Sequence, residues 1–280
     1  MTQAHTVTAH GAAIPAIGLG TFRLEGERCS EAVKAAIAAG YRHIDTAKMY
    51  GNEQAVGAGL KLSGIARADV FVTTKIWLDD IAPGDLERSA EESLKRLGLS
   101  EVDLLLIHWP NKAVPLERST AALCEAKRRG LARHVGVSNY TAAMLDETVR
   151  LATEPLAVNQ VEYHPFLAQD SVLAACRLHG MVLTSYCPLG RTAVLGERAV
   201  REIATRHGKS ASQVILRWHV QQPGVVAIPK SGTPRHIAEN LDVFDFALTA
   251  DEMSALSALR RPGGRVVDPE FAPDWDRDAA

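Results

Sequence analysis

The sequence predicts an α/β fold: a (β/α)8 TIM barrel with an N-terminal β-hairpin and extra helices. Three observations predict it. Short apolar runs rich in Val and Ile alternate with helical patterns along nearly the whole chain, and such alternation implies a parallel sheet with helices outside. Eight strand-like runs fit into 280 residues, the arithmetic of a closed barrel. An open doubly wound sheet would want a glycine-rich first turn and longer crossovers. Here Gly18-Leu19-Gly20 continues to Arg23 and no helix opens there, so no dinucleotide fingerprint is formed. No linker or low-complexity stretch interrupts the chain, and residues 1–280 read as one domain.

In chain order, Val7 to Pro15 alternates around His10-Gly11-Ala12 and reads as the hairpin. Ile17–Gly20 is the first barrel strand. Ser30 is placed as the cap of a helix over Glu31–Ala39, with Gly40 as its C′ residue. The remaining strands are read at His43–Asp45, Val70–Lys75, Val102–Ile107, His134–Ser138, Ala157–Val161, Met181–Ser185 and Val225–Ile228. The helices between them are read at Glu53–Leu62, Asp85–Leu97, Glu117–Arg129, Ala142–Leu151, Ser171–His179 and Glu197–His207. Ser210-Ala211-Ser212-Gln213 is a capping box that opens a further helix to Gln221, a surplus element before the eighth strand.

Composition sets bounds on function. A chain 46% hydrophobic and 23% charged is an ordinary globular one, long enough to need no disulfide staples. Cys29, Cys124, Cys176 and Cys187 form no Cys-x-x-Cys pair and no zinc spacing, so they read as reduced thiols. A net charge of -2 leaves no nucleic-acid footprint. No secretory leader is visible at Met1–Thr6, and no apolar run is as long as a membrane span. The expectation is a cytoplasmic protein with neither a nucleic-acid nor a membrane partner.

A parallel barrel carries its site on the carboxyl ends of its strands, so the residue closing each strand matters most. Asp45 closes the second, Lys75 the third, and His108 follows the fourth. Ser138-Asn139 end the fifth, Gln160 lies at the sixth, Tyr186 follows the seventh, and Lys230-Ser231 end the eighth. Tyr50 sits in the loop after Asp45. Each has a bland reading. Lys75 could snorkel from a strand end, His108 could be a core histidine, Ser138-Asn139 could be a helix cap, and a loop tyrosine usually packs on a surface. Independent bland residues would scatter, whereas these share one phase of the repeat.

Their chemistry coheres. A phenol titrates near ~10, too high for efficient acid–base work at neutral pH. An ammonium beside it is expected to lower that value. Asp45, Lys75 and Tyr50 then make a tuned proton donor, with His108 orienting a carbonyl oxygen or sharing the proton. No His-x-x-x-His, no carboxylate cluster around His108 and no Gly-x-Ser-x-Gly elbow is present. No metal site is assigned, and a proton donor without metal or nucleophile calls for a second reagent, such as hydride from a cofactor.

Eight motifs carry a resemblance. They are Gly18-Leu19-Gly20-Thr21-Phe22, Asp45-Thr46-Ala47 with Tyr50-Gly51-Asn52-Glu53, Thr74-Lys75-Ile76-Trp77, and Ile107-His108-Trp109-Pro110. Gly136-Val137-Ser138-Asn139-Tyr140, Asn159-Gln160-Val161-Glu162, Tyr186-Cys187-Pro188-Leu189-Gly190 and Ile228-Pro229-Lys230-Ser231 complete the set. In order and spacing they resemble the aldo-keto reductase superfamily. Within it the chain resembles the bacterial reductases of 2,5-diketo-gluconate and methylglyoxal, and Val266–Trp275 points the same way.

The resemblance implies a reductase of aldehydes and ketones that uses NADPH, with Asp45, Tyr50, Lys75 and His108 as the catalytic tetrad and Tyr50 as general acid. It implies that Ser138, Asn139 and Gln160 bond the nicotinamide carboxamide and that Tyr186 stacks on its ring. By the same likeness, Thr21, Leu189, Lys230, Ser231, Gly232, His236, Glu239 and Asn240 belong to the cofactor site, and Phe22, Trp77 and Trp109 line the substrate pocket. Small carbonyl compounds (methylglyoxal, diketo sugar acids, keto esters) are the expected substrates, and a monomer the expected state. Two alternatives stay open: a Schiff-base lyase or isomerase working through Lys75, and a non-catalytic cofactor sensor.

One stretch departs from the family pattern. Thr233 is read as a helix N-cap with Pro234 at N1, and a helix start of this kind can receive a phosphate. The family commonly continues Glu-Arg-Ile, with the Arg on the 2′-phosphate of NADPH. Here Arg235-His236-Ile237 puts His236 at that place, and histidine lacks the bidentate grip of arginine. Weakened preference for NADPH, with dual use of NADH, is therefore expected.

Overall fold

The computed structural model describes residues 5–277. The readings of Met1–Ala4 and of the last residues to Ala280 lie outside the described residues. An antiparallel hairpin, β1 (Thr6–Ala9) and β2 (Ala12–Pro15), comes first, as expected. Eight parallel strands follow: β3 (Leu19–Gly20), β4 (His43–Asp45), β5 (Phe71–Ile76), β6 (Val102–Ile107), β7 (Ala132–Ser138), β8 (Leu156–Glu162), β9 (Val182–Tyr186) and β10 (Val225–Ala227). Each pairs with its neighbour in chain order. Parallel bridges from Ile17 to Ala227 and from Gly20 to Lys230 join the first strand to the last and close the barrel. Closure needs Gly20, because a Cβ there would lie 2.8 Å from the Ile228 carbonyl oxygen.

Period-2 alternation sorts the strand residues into two layers. Leu104 and Leu106 face inward, in a cluster with Val158, Val182, Val226 and the hairpin residues Ala9, Ala12 and Ile14. Leu105 and Ile107 face outward into the larger cluster beneath the helices. The hairpin thus packs into the barrel interior with the inward-facing strand residues, while the polar strand ends gather at the opposite, carboxyl rim.

The helices lie close to their expected positions: α1 (Gly26–Ala39), α2 (Glu53–Ser63), α3 (Asp85–Leu97), α4 (Leu116–Arg128), α5 (Ala142–Leu151), α6 (Asp170–Leu178), α7 (Arg198–His207), α8 (Ala211–Val220), α9 (Pro234–Leu241) and α10 (Ala250–Ser257). Gly40 ends α1 in the left-handed region at φ 108°, and the Ser210–Gln213 capping box opens α8 as read. Four details differ. Helix α1 begins at Gly26, not after Ser30, because its buried stripe already includes Cys29 and Ser30. The Ser30 hydroxyl donates back to the Glu27 carbonyl at 3.0 Å instead of capping. Thr233 precedes α9 but its side chain makes no cap bond; the Ser231 hydroxyl accepts the Thr233 N–H instead, at 3.1 Å. Helix α10 was not expected, although Thr249 and Glu252 form its capping box. Among the described residues no helix is long and apolar enough to cross a membrane.

Candidate active site

Strand register brings the predicted residues to one rim. Gly20 pairs with Asp45, Asp45 with Thr73, Ser138 with Gln160, and Glu162 with Tyr186. Beyond Asp45 a single 3-10 turn, Lys48–Tyr50, ends at Gly51 in the left-handed region (φ 66°) and hands over to α2. This turn hangs on scaffold bonds. Asn52 donates to the Thr21 and Leu24 carbonyls at 2.8 Å each and accepts from the Thr46 hydroxyl at 2.8 Å. The buried Glu53 carboxylate accepts from Thr74 at 2.5 Å and from Arg96 at 2.8 Å. Thr46, Asn52 and Glu53 hold the loop, which leaves Asp45 and Tyr50 to face the cleft.

Lys75, wholly buried on β5, donates to Asp45 Oδ1 at 2.5 Å, to the Thr46 carbonyl at 2.9 Å and to the Tyr50 hydroxyl at 3.4 Å. Its amine is fully engaged, so the Schiff-base alternative lacks a free nucleophile. The second Asp45 oxygen accepts from Gln160 Nε2 at 2.8 Å. The His108 ring lies edge-on to Tyr50, with centroids 5.7 Å apart. Phe22 also packs on the Tyr50 ring at 5.0 Å, and Trp77 meets His108 at 5.3 Å.

The electrostatics correct one expectation. The Tyr50 pKa is not lowered on balance: burial raises it well above the ordinary phenol value, and the charge of Asp45 raises it further. The ammonium is committed to Asp45, nearly an ångström closer than the phenol. Tyr50 is therefore held protonated, the form a proton donor needs. Burial lowers the Lys75 pKa, and the neighbouring Asp45 opposes that shift. Burial, and then the Lys75 charge, drive His108 well below the ordinary imidazole value. A neutral His108 can orient a carbonyl oxygen through one N–H.

Around the mouth the other predicted residues fall in two groups. Ser138 donates to the Gln160 carbonyl at 2.7 Å. Asn139, in the left-handed region at φ 64°, donates to the His108 carbonyl at 2.9 Å and accepts from the Tyr186 hydroxyl at 2.8 Å. These amide and hydroxyl groups, with the half-buried Tyr186 ring beside them, form a donor and acceptor set of the kind that suits a primary carboxamide under a stacked ring. Thr21 is buried, its hydroxyl spent on the Asp45 carbonyl at 2.9 Å, and Leu189 is half-buried in the loop after β9. The second group sits beyond β10: Lys230 and His236 are exposed, Ser231 and Asn240 are buried, and Gly232 and Glu239 are half-buried.

Two contributors were missed by sequence reasoning. The C-terminal segment supplies a wall: Phe271 stands edge-on to both Trp77 (5.5 Å) and Trp109 (5.3 Å), and Trp275 meets Trp109 at 6.0 Å. The other is Arg28 of α1, whose guanidinium overlies Gly232; a Cβ on Gly232 would lie 2.9 Å from Arg28 Nε. Neither follows a periodic pattern. Only the aromatic residues of the tail gave any signal.

Comparison with known proteins identifies the family and the fold. A family model described as the aldo/keto reductase family matches residues 16–261. Methylglyoxal reductase DkgB of Escherichia coli O157:H7 is 40% identical, over 94% of this chain and 100% of its own. A crystal structure named provisionally as a 2,5-diketo-D-gluconic acid reductase B is 46% identical, with a TM-score of 0.96 and 98% of both chains covered. A Bombyx mori aldo-keto reductase solved in complex with NADP is 32% identical, with a TM-score of 0.90 and 98% of both chains covered.

Proposed function

Starting from the fact that the chain belongs to the aldo/keto reductase family and is an NAD(P)H-dependent oxidoreductase, we propose that it reduces small aldehydes and ketones with Tyr50 as general acid. Dicarbonyls such as methylglyoxal come first among the substrates, and diketo sugar acids and keto esters next. The observation that carries the reading is the Tyr50 hydroxyl, 3.4 Å from Lys75 Nζ and beside the His108 ring, at the mouth of the barrel.

NADPH, when bound, supplies the hydride from C4 of its nicotinamide. Ser138, Asn139 and Gln160 would hold the carboxamide, and Tyr186 would lie against the nicotinamide ring. Lys230, Ser231, Gly232, His236, Glu239 and Asn240 would take the adenosine end, and Thr21 and Leu189 would contact the rest of the cofactor. Phe22, Trp77 and Trp109 enclose the substrate and exclude water. The neutral His108 orients the carbonyl oxygen, and Tyr50 gives that oxygen its proton as negative charge develops there. Asp45 steadies the Lys75 ammonium beside Tyr50. With His236 in place of an arginine, NADH is accepted as well as NADPH.

A panel of methylglyoxal, 2,5-diketo-gluconate, β-keto esters and aromatic aldehydes, run with both cofactors, tests the reading. Turnover of methylglyoxal supports it; failure to reduce any carbonyl with either cofactor overturns it.

A further inference from the structure

Glu162, at the end of β8, is a fully buried carboxylate that no step above employs. Its Oε1 accepts the Val266 N–H at 2.7 Å and lies 2.8 Å from His164 Nε2, while Oε2 accepts the Val267 N–H at 2.8 Å. The two backbone donors belong to the C-terminal segment, which forms no helix or strand of its own among the described residues after α10. Such a segment is placed by its anchors alone. A carboxylate receiving backbone N–H groups out of water makes the strong, charge-assisted kind of hydrogen bond, and leaving it unpaired would be costly.

Neighbouring contacts extend the anchorage. The Phe166 carbonyl accepts the Arg261 N–H at 3.2 Å, and the Arg261 guanidinium lies 3.7 Å over the Phe166 ring. A Cβ at Gly264 would lie 1.9 Å from the Phe166 oxygen, so the tail backbone presses directly on the loop that follows Glu162. In the other direction, Arg265 stacks 3.7 Å over Trp275, which meets Trp109. Phe271 then bridges Trp77 and Trp109. A continuous chain of contacts leads from one carboxylate to the far wall of the pocket.

We infer that Glu162 is a positioning residue for substrate binding. By fixing Val266 and Val267 it holds Phe271 and Trp275 against Trp77 and Trp109, so substrate affinity depends on it and cofactor affinity does not. The assignment rests on the reading of this pocket as the site of carbonyl reduction.

Glu162→Gln is the variant to make, because the amide keeps one acceptor oxygen and turns an N–H2 group toward the other backbone donor. Its KM for methylglyoxal should rise roughly tenfold or more with kcat little changed. The NADPH dissociation constant, read from tryptophan fluorescence, should stay within about twofold. Amide exchange at Val266 and Val267 should quicken by roughly tenfold or more. Phe271→Ala should reproduce the KM rise, and the double variant should be no worse than Phe271→Ala alone, since residues acting through one element are non-additive. Unchanged exchange at the two amides, additive KM effects, or an equal loss of cofactor affinity would each overturn the assignment. Should Glu162→Gln fail to fold, the unmodified protein still decides: Val266 and Val267 must exchange more slowly than Glu270 and Phe271. A wild type that reduces no carbonyl refutes the proposed function, while the exchange data still judge the anchor.

Discussion

Gln160 and Asp45, 115 residues apart, meet across the barrel mouth with Gln160 Nε2 2.8 Å from Asp45 Oδ2. The other oxygen of that carboxylate holds Lys75, so both Asp45 oxygens are occupied and its orientation is fixed. The amide assigned to nicotinamide recognition is thereby joined to the proton-donor site. On the proposed function, a cofactor against Gln160 and a substrate against Tyr50 would be held relative to one another by the same ion pair.

Tyr50→Phe removes the proton and keeps the ring packed against Phe22 and His108. General acid catalysis contributes about 10²–10⁴-fold, so kcat should fall by that order while NADPH affinity is unchanged. Single-turnover kinetics with a fluorescence-based cofactor titration measures both. A kcat within a few-fold of wild type would remove Tyr50 from the role of acid.

The Lys75–Asp45 pair lies wholly out of water, with both side chains at 1% exposure or less. Removing one partner of a buried pair typically costs about 3–5 kcal/mol, because the survivor is left uncompensated. Lys75→Met and Asp45→Asn should each lower stability by roughly that amount in urea denaturation. Combining Lys75→Met with Asp45→Asn should cost less than the sum of the two, and fully additive costs would show that the two charges do not compensate one another.

Acid should weaken the fold through its buried imidazoles. His43 and His108 both have pKa values lowered by burial, His108 the more strongly. The sign follows from proton uptake: below the unfolded value of about 6.5 the unfolded chain binds protons that the folded chain refuses, so stability falls as pH drops. Each such group contributes a slope of about 1.4 kcal/mol per pH unit between its unfolded and folded pKa values. His108→Asn should flatten the decline of urea midpoints between about pH 6 and pH 5. An unaltered slope would mean that His108 takes up its proton in the folded state.

The strand-end residues were legible because a polar residue at the end of an apolar run has a phase, and Asp45, Lys75, His108 and Ser138 share it. Closure of the barrel was legible by counting alone. The Gln160–Asp45 bond was not, since it depends on geometry across the barrel that no local pattern encodes. Nor was the tail wall: Val266–Trp275 has no period, and its position is set by Glu162, a residue that looks like an ordinary strand end until its buried partners are known. Tyr50 shows a different limit. Its neighbours were named correctly, but whether the ammonium or burial governs its pKa turns on distances of 2.5 Å and 3.4 Å that only the fold supplies.

The adenosine end offers a test of cofactor choice. His236 is exposed in the first turn of α9, where an arginine would bring a planar, bidentate fork to a phosphate. A second cation is nevertheless present, because Gly232 leaves room for the Arg28 guanidinium to lie over the turn between Lys230 and α9. Restoring the fork with His236→Arg should raise kcat/KM for NADPH by roughly tenfold, about the 1.4 kcal/mol that one charge-assisted contact is worth, and leave NADH nearly unchanged. Arg28→Ala should lower the NADPH value alone, because NADH has no 2′-phosphate for the guanidinium to meet. Steady-state kinetics with both cofactors on wild type and the two variants decides the matter. A wild-type preference for NADPH of roughly a hundredfold or more, worth about 2.7 kcal/mol, would defeat the dual-use reading.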